Sequence, residues 1–206
     1  MKIGFIFECP RGGPDQLVIE FLARKIDSSV EIVNSATNTN KPALVRDCGT
    51  QAALLLKQGC ERVVIVWDLL PRWADTSVKP YCKRDVALIR ASLAKVKVDE
   101  ERVRLLCIAA ELEVFLIADE RALAKVLSRP TRAADCPFKK HPHRLADPKA
   151  DLDSIFRAHG RVYSPLSDAL PIARALDDFN RLNPIPCFKR LITEVNFTCS
   201  RHLSPP

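Results

Sequence analysis

The run Arg62-Val63-Val64-Ile65-Val66-Trp67-Asp68 places five consecutive large apolar side chains between two charges. A strand with one wet face alternates apolar and polar residues. A strand without alternation is buried on both faces, as happens when helices cover both sides of a parallel sheet. Two other runs have this character: Lys2-Ile3-Gly4-Phe5-Ile6-Phe7 at the start of the chain and Val103-Arg104-Leu105-Leu106-Cys107-Ile108. Val30–Val33 reads as a short additional strand, followed by a polar loop over Asn34–Lys41.

Helical spacing fills the gaps between these runs. Leu17, Val18, Phe21 and Leu22 line one face of a helix over 14–26. Leu44, Val45, Ala52, Leu55 and Leu56 do the same over 43–57, and Gly59 stops that helix. Further helices are expected over 85–95 and, as one unbroken element, over 113–127. Alternating strands and helices predict an α/β fold, a mostly parallel open sheet with flanking helices joined by right-handed connections.

The chain of 206 residues is long enough for one such domain with an addition. Its character changes after Ser128. Residues 129–148 carry four prolines with basic residues, His141 and His143, and read as a surface loop. Short helices are expected over 148–158, 168–181 and 184–195, and Thr198–Pro206 as a frayed tail. The expected organisation is an α/β domain over 1–128 with a helical extension over 129–206 packed on it. With 47% hydrophobic and 28% charged residues, the composition is that of a soluble globular protein. No run is long enough to span a membrane, and the first residues lack a signal-peptide pattern, so a cytoplasmic location without membrane contact is expected.

Eight cysteines are present, but none forms a C-x-x-C pair. Without close cysteine or histidine pairs a zinc site is not expected, and without a secretory signal neither are structural disulfides. Several cysteines lie in apolar patterns, where they act as small hydrophobes. A P-loop, a dinucleotide fingerprint and a G-x-S-x-G elbow are all absent from the sequence.

The chemistry-bearing residues are acids at strand ends. Glu8 closes the first apolar run and precedes Cys9-Pro10-Arg11-Gly12-Gly13, a small-residue turn that leaves room for a phosphate or a backbone. Asp68 closes the third, and Glu111 and Glu113 follow the run that ends at Ile108. Open α/β sheets bind ligands at the carboxyl ends of their strands. Three acids there would suit a divalent cation with hard oxygen ligands, Mg²⁺ or Mn²⁺. Each acid alone reads equally as a solvated strand end or a cap. The net charge of +7 attracts phosphate backbones or makes an ordinary basic surface. Arg11, Lys83, Arg84, Lys139 and Lys140, with Arg90 and Arg144, are the candidate nucleic-acid contacts, and Trp73 and Tyr81 could stack on a base.

Strand, Glu8, small-residue turn, helix, then strand and Asp68 resemble the TOPRIM fold of topoisomerases, primases and OLD-type nucleases. Ala110-Glu111-Leu112-Glu113-Val114-Phe115-Leu116-Ile117-Ala118-Asp119 resembles the signature of a bacterial TOPRIM-like family of unassigned function. Asp147-Pro148-Lys149, Pro171-Ile172-Ala173 and Cys187-Phe188-Lys189-Arg190-Leu191 are similar to its C-terminal part. The resemblance implies Glu8 as general acid/base or metal ligand and Asp68 as a Mg²⁺ ligand. It implies Glu113 and Glu111 as further ligands, and a partner ATPase in phage defence. The chain departs from the family's paired aspartates, since Leu70 stands at the second position; Asp75 is the next acid along. The expected activity is metal-dependent phosphodiester hydrolysis on nucleic acid by Glu8, Asp68 and Glu113. The alternatives are a non-catalytic module that binds an ATPase or nucleic acid, and a hydrolase of small phosphates.

Overall fold

The three apolar runs form strands, and all lie in one parallel sheet. The structure, a computed structural model, describes residues 1–70 and 82–196. Strand β1 (Lys2–Phe7) leads into helix α1 (Pro14–Ile26), β2 (Glu31–Thr37) and α2 (Lys41–Lys57). Then follow β3 (Arg62–Asp68), α3 (Cys82–Lys95), β4 (Val103–Ile108), α4 (Glu113–Leu116) and α5 (Glu120–Leu127). The sheet order is β2-β1-β3-β4, every pair parallel. The chain leaves β1 toward one edge and, after β3, builds toward the other. Its topological switch point therefore falls between β1 and β3.

Helices α2 and α3 cover one face of the sheet over a core that includes Ile6, Leu44, Leu55, Ile65, Trp67 and Ile89. The other face is covered by α1 and by α6 (Pro148–Ala158), α7 (Pro165–Ala175) and α8 (Pro186–Val195). The expected helical extension is thus the second layer of the fold: Phe5, Phe7, Val64, Leu106, Phe156 and Phe188 share one core. Among the described residues no helix is long and apolar enough to cross a membrane.

Four helices begin at a proline, Pro14, Pro148, Pro165 and Pro186. Proline suits that place because its fixed φ is helical and its missing N–H would have had no intrahelical partner. This is why the last two helices start at 165 and 186 and not at 168 and 184, and α7 ends at Ala175. Residues 34–37, read as loop, continue β2 by pairing with Gly4–Phe7; as an edge strand it tolerates polar residues. The single helix expected over 113–127 is two. Asp119 breaks it, accepting the Arg121 and Ala122 N–H groups as the cap of α5. The loop at 69–80, with Trp73 and Asp75, is described only at Leu69 and Leu70; Tyr81 and the tail from 197 onward also lie outside the described residues.

Helices α2 and α3 approach closely because of Gly49. Its N–H donates to Ser92 Oγ at 3.2 Å, and a Cβ at Gly49 would stand 2.3 Å from the Ser92 carbonyl oxygen. That oxygen belongs to helical backbone and cannot swing away. Gly49→Ala should therefore cost roughly 1–3 kcal/mol by forcing the helices apart. Urea unfolding checks this, and an unchanged midpoint would show that the helices separate freely.

Candidate functional site

The site grows from the two central strands. Glu8 directly follows β1, and its N–H donates to the Val66 carbonyl of β3 at 3.2 Å. Asp68 ends β3. The two acids thus stand side by side at the carboxyl edge of the sheet, at the switch point, where the connecting helices diverge and leave a crevice. There is a cavity of about 260 Å³ there, lined by Glu8, Asp15, Thr39, Asn40, Asp68 and Leu70, with Val66 and Trp67 at its base.

The turn after Glu8 brings Asp15 into the same cavity. Gly12 takes φ +74°, a left-handed conformation that glycine adopts without strain. Gly13 is needed for space, since a Cβ there would meet the Pro10 carbonyl oxygen at 2.8 Å. The Gly13 N–H closes the turn on that oxygen at 2.9 Å. Helix α1 then starts at the site, with Asp15 in its first turn and the Cys9 thiol near enough to act on that carboxylate.

On the other side Leu69 and Leu70 donate to the Ile108 and Ala110 carbonyls, extending the β3–β4 alignment past the strands. Ala110 then takes φ +69°, a conformation uncommon outside glycine. The turn it makes aims the Leu112 N–H at Asp68 Oδ2, 3.2 Å away. Asp68 thus holds the start of α4 with one carboxylate oxygen. Its other oxygen, Oδ1, is shielded from solvent and has no hydrogen-bond partner among the described residues, and Glu8 Oε2 is in the same condition.

Glu113 is buried beside this pair but does not line the cavity. Its Oε1 accepts the Tyr163 hydroxyl at 3.1 Å. Tyr163 comes from the segment after α6 and packs edge-on against Phe156, ring centroids 5.3 Å apart. Glu111 is half-buried, and Lys149 in the first turn of α6 opposes the effect of that burial on its proton affinity. Of the four expected metal ligands, Glu8 and Asp68 line the cavity together, and Glu113 and Glu111 do not line it.

The electrostatics follow from crowding acids in a poorly hydrated place. Burial raises Glu8 to about 7; Lys41 opposes the shift, and Asp15 and Asp85 add to it. Burial raises Asp68 well above the usual carboxylate range, and Asp15, Glu113 and Glu8 push it further. Burial likewise raises Asp15, Glu111 and Glu113. Two lysines offset the repulsion. Lys41 is buried at the start of α2, donates to the Leu69 carbonyl at 3.2 Å and lies 3.7 Å from Asp85 Oδ2. Lys149 acts electrostatically on Asp15, Glu111 and Glu113.

Asp15, Lys41 and Tyr163 were not among the expected site residues. An acid in the first helical turn after a strand-end turn was a usable signal for Asp15. Lys41 read as the end of a loop, and nothing local marks Tyr163, which reaches the site from fifty positions away. The expected nucleic-acid contacts do not form one patch in sequence or layer. Lys83 and Arg84 are exposed on α3, over one face of the sheet. Lys139 pairs with Asp151 of α6, over the other face, at 3.2 Å. Arg11 and Lys140 are exposed.

All donors in the cavity are oxygens, which suits a hard divalent cation, and two buried carboxylate oxygens lack partners. Among the described residues no three His, Cys, Asp or Glu side chains are grouped closely enough to hold a metal ion by themselves. The residues therefore fit a cation that takes two carboxylates and keeps several waters, as Mg²⁺ does. Compared with known families, curated proteins and solved structures, the chain matches none.

Two outcomes follow from this geometry. Glu8 keeps its proton in the folded state between pH 4.5 and about 7, where the unfolded chain releases it. Stability should therefore fall as pH rises through that window and level off above it. In chelator-treated buffer Glu8→Gln should remove this component, gaining roughly 1–3 kcal/mol on wild type between pH 5 and pH 8. Urea unfolding at both pH values tests it, and parallel curves for the two proteins would refute the buried, proton-holding Glu8. Tyr163→Phe leaves Glu113 Oε1 without its donor and should cost roughly 1–3 kcal/mol at neutral pH. A loss below about 0.5 kcal/mol in the same measurement would mean that water replaces the hydroxyl.

Proposed function

We propose that this protein is a metal-dependent phosphodiester hydrolase acting on nucleic acid. The observation that carries the reading is the pair of partnerless carboxylate oxygens, Glu8 Oε2 and Asp68 Oδ1, beside one cavity at the switch point of the sheet. Such atoms are costly to bury unless something positively charged meets them. Glu8 and Asp68 would hold the cation, with Asp15 and Glu113 adding negative charge around it. Mg²⁺ or Mn²⁺ bound there supplies charge neutralisation and an acidified water.

The protein's own groups supply the rest. With the cation held by Asp68 alone, Glu8, raised to about 7, is suited instead to take a proton from an attacking water at neutral pH and return it to a leaving oxygen. Asp68 is fixed by the Leu112 N–H and so keeps its free oxygen in place. Lys41 and Lys149 bring positive charge to either side of the acids. The net charge of +7 draws in a polyanion, and Arg11, Lys83, Arg84, Lys139 and Lys140 are its candidate contacts.

One observation favours a second reading, a non-catalytic module that binds nucleic acid or a partner ATPase. Leu70 forms part of the cavity wall where another acid would complete a three-carboxylate site. Calorimetric titration with Mg²⁺ and Mn²⁺, followed by a nuclease assay on single- and double-stranded DNA and RNA, separates the two. The hydrolase should bind metal and cleave, and Glu8→Gln and Asp68→Asn should each lower the rate at least about 100-fold. Equal cleavage by all three proteins would sink the assignment, and absence of metal binding even with nucleic acid present would favour the non-catalytic module.

A further inference from the structure

Seven of the eight cysteines lie in the described residues, all as free thiols. Five of them, Cys9, Cys48, Cys60, Cys136 and Cys187, are buried; Cys82 and Cys107 alone are half-exposed. These two also lie on the same side of the sheet. Cys107 lies on β4, an edge strand, directly opposite Trp67 of β3 in the parallel register. Register partners on adjacent parallel strands point to the same face. The Trp67 indole N–H reaches across that face to Asp85 of α3, Nε1 to Oδ2 being 3.1 Å. Cys82 is the first residue of α3, three positions before Asp85 and so on the same side of the helix. Both cysteines pack against the core under α2 and α3, and Cys82 is near enough to be among the groups that act on the Cys107 thiol.

We infer that Cys82 and Cys107 are a reversible dithiol/disulfide pair, a modification site that joins the first turn of α3 to the edge strand β4. The oxidant is a small-molecule disulfide, such as glutathione disulfide. The Cys82 thiolate attacks one sulfur of the oxidant; that S–S bond breaks and one glutathione thiolate leaves. The Cys107 thiolate then attacks Cys82 in the mixed disulfide, and the second glutathione leaves. The two cysteine thiols lose two electrons in all, and the oxidant gains them. The two cysteine protons end on the two glutathione thiols. Burial, with the nearby Cys82, raises the proton affinity of Cys107 and keeps it a thiol, so it acts second. The five other described cysteines are shut away from a soluble oxidant.

The bond would form beside the electrostatic support of the acid cluster. Asp85, one turn from Cys82, carries both the Trp67 indole and the Lys41 ammonium, and Lys41 opposes the raised proton affinity of Glu8. The inference does not depend on the hydrolase reading, since it concerns thiols on the α2/α3 face.

The test uses the full chain. It is incubated with glutathione disulfide, quenched with iodoacetamide and mapped by mass spectrometry without reduction. The expected result is one intramolecular link between Cys82 and Cys107, reversed by dithiothreitol, with alkylation of both slowed at least about tenfold against the reduced protein. Cys107→Ser should accumulate a stable glutathione adduct on Cys82 that wild type does not retain. Free alkylation of both cysteines after oxidation would overturn the inference, as would linkage of either to Cys199 or another cysteine. A Cys107→Ser protein with no more adduct than wild type would also overturn it. The wild-type map decides on its own if the variant folds poorly.

Discussion

Burial of β1 and β3 on both faces sets the terms for everything else. From Ile3 to Phe7 and from Val63 to Val66 every side chain is enclosed, so the two central strands have no exposed face on which to place polar chemistry. The first positions where a charge can stand are the strand ends. At the carboxyl end those positions are Glu8 and Asp68, held side by side by the β1–β3 ladder. The order β2-β1-β3-β4 then sends the chain to opposite sides after the two strands and leaves room between them. A cavity lined by acids is the outcome of sheet topology before any side chain is chosen for function.

Keeping several carboxylates in that place is unfavourable, and the surrounding residues show where the compensation lies. The Leu112 N–H meets one oxygen of Asp68, and the Tyr163 hydroxyl meets Glu113. Lys41 and Lys149 lower the repulsion without lining the cavity. The remainder, Glu8 Oε2 and Asp68 Oδ1, has no hydrogen-bond partner among the described residues. Raised proton affinity at both acids is the response of the protein alone to that imbalance.

How much of this was legible depended on how local the signal was. The sheet class and the positions of Glu8 and Asp68 could be read, because an unbroken apolar run and the acid that ends it are a few residues long. The polar half of β2 could not, since residues 34–37 are strand only by pairing with β1. The break between α4 and α5 was hidden because Asp119 fits the polar face of one long helix as well as a cap. Glu113 was expected to face a metal with Glu8 and Asp68. Its direction is set by Tyr163, fifty positions away, and no pattern near Glu113 encodes that contact. The left-handed turn at Ala110, which brings Leu112 to Asp68, is equally silent, because alanine gives no warning of positive φ.

The helices after residue 147 are therefore more than an addition to an α/β unit. Without α7 and α8, the core on the face of the sheet carrying Phe5, Phe7, Val64 and Leu106 would lose Ala169, Ile172, Phe188 and Leu191. Arg62 and Arg104, from β3 and β4, both close on Glu194 of α8, at 3.6 and 3.2 Å, which ties the far end of the sheet to that layer. At the near end the same region supplies Tyr163 to Glu113 and Lys149 to the acids. One layer thus buries the sheet and tunes the cluster at its edge. Removal of that layer would take away the core and the partner of Glu113 together, so the acid site belongs to the whole chain and not to its first half.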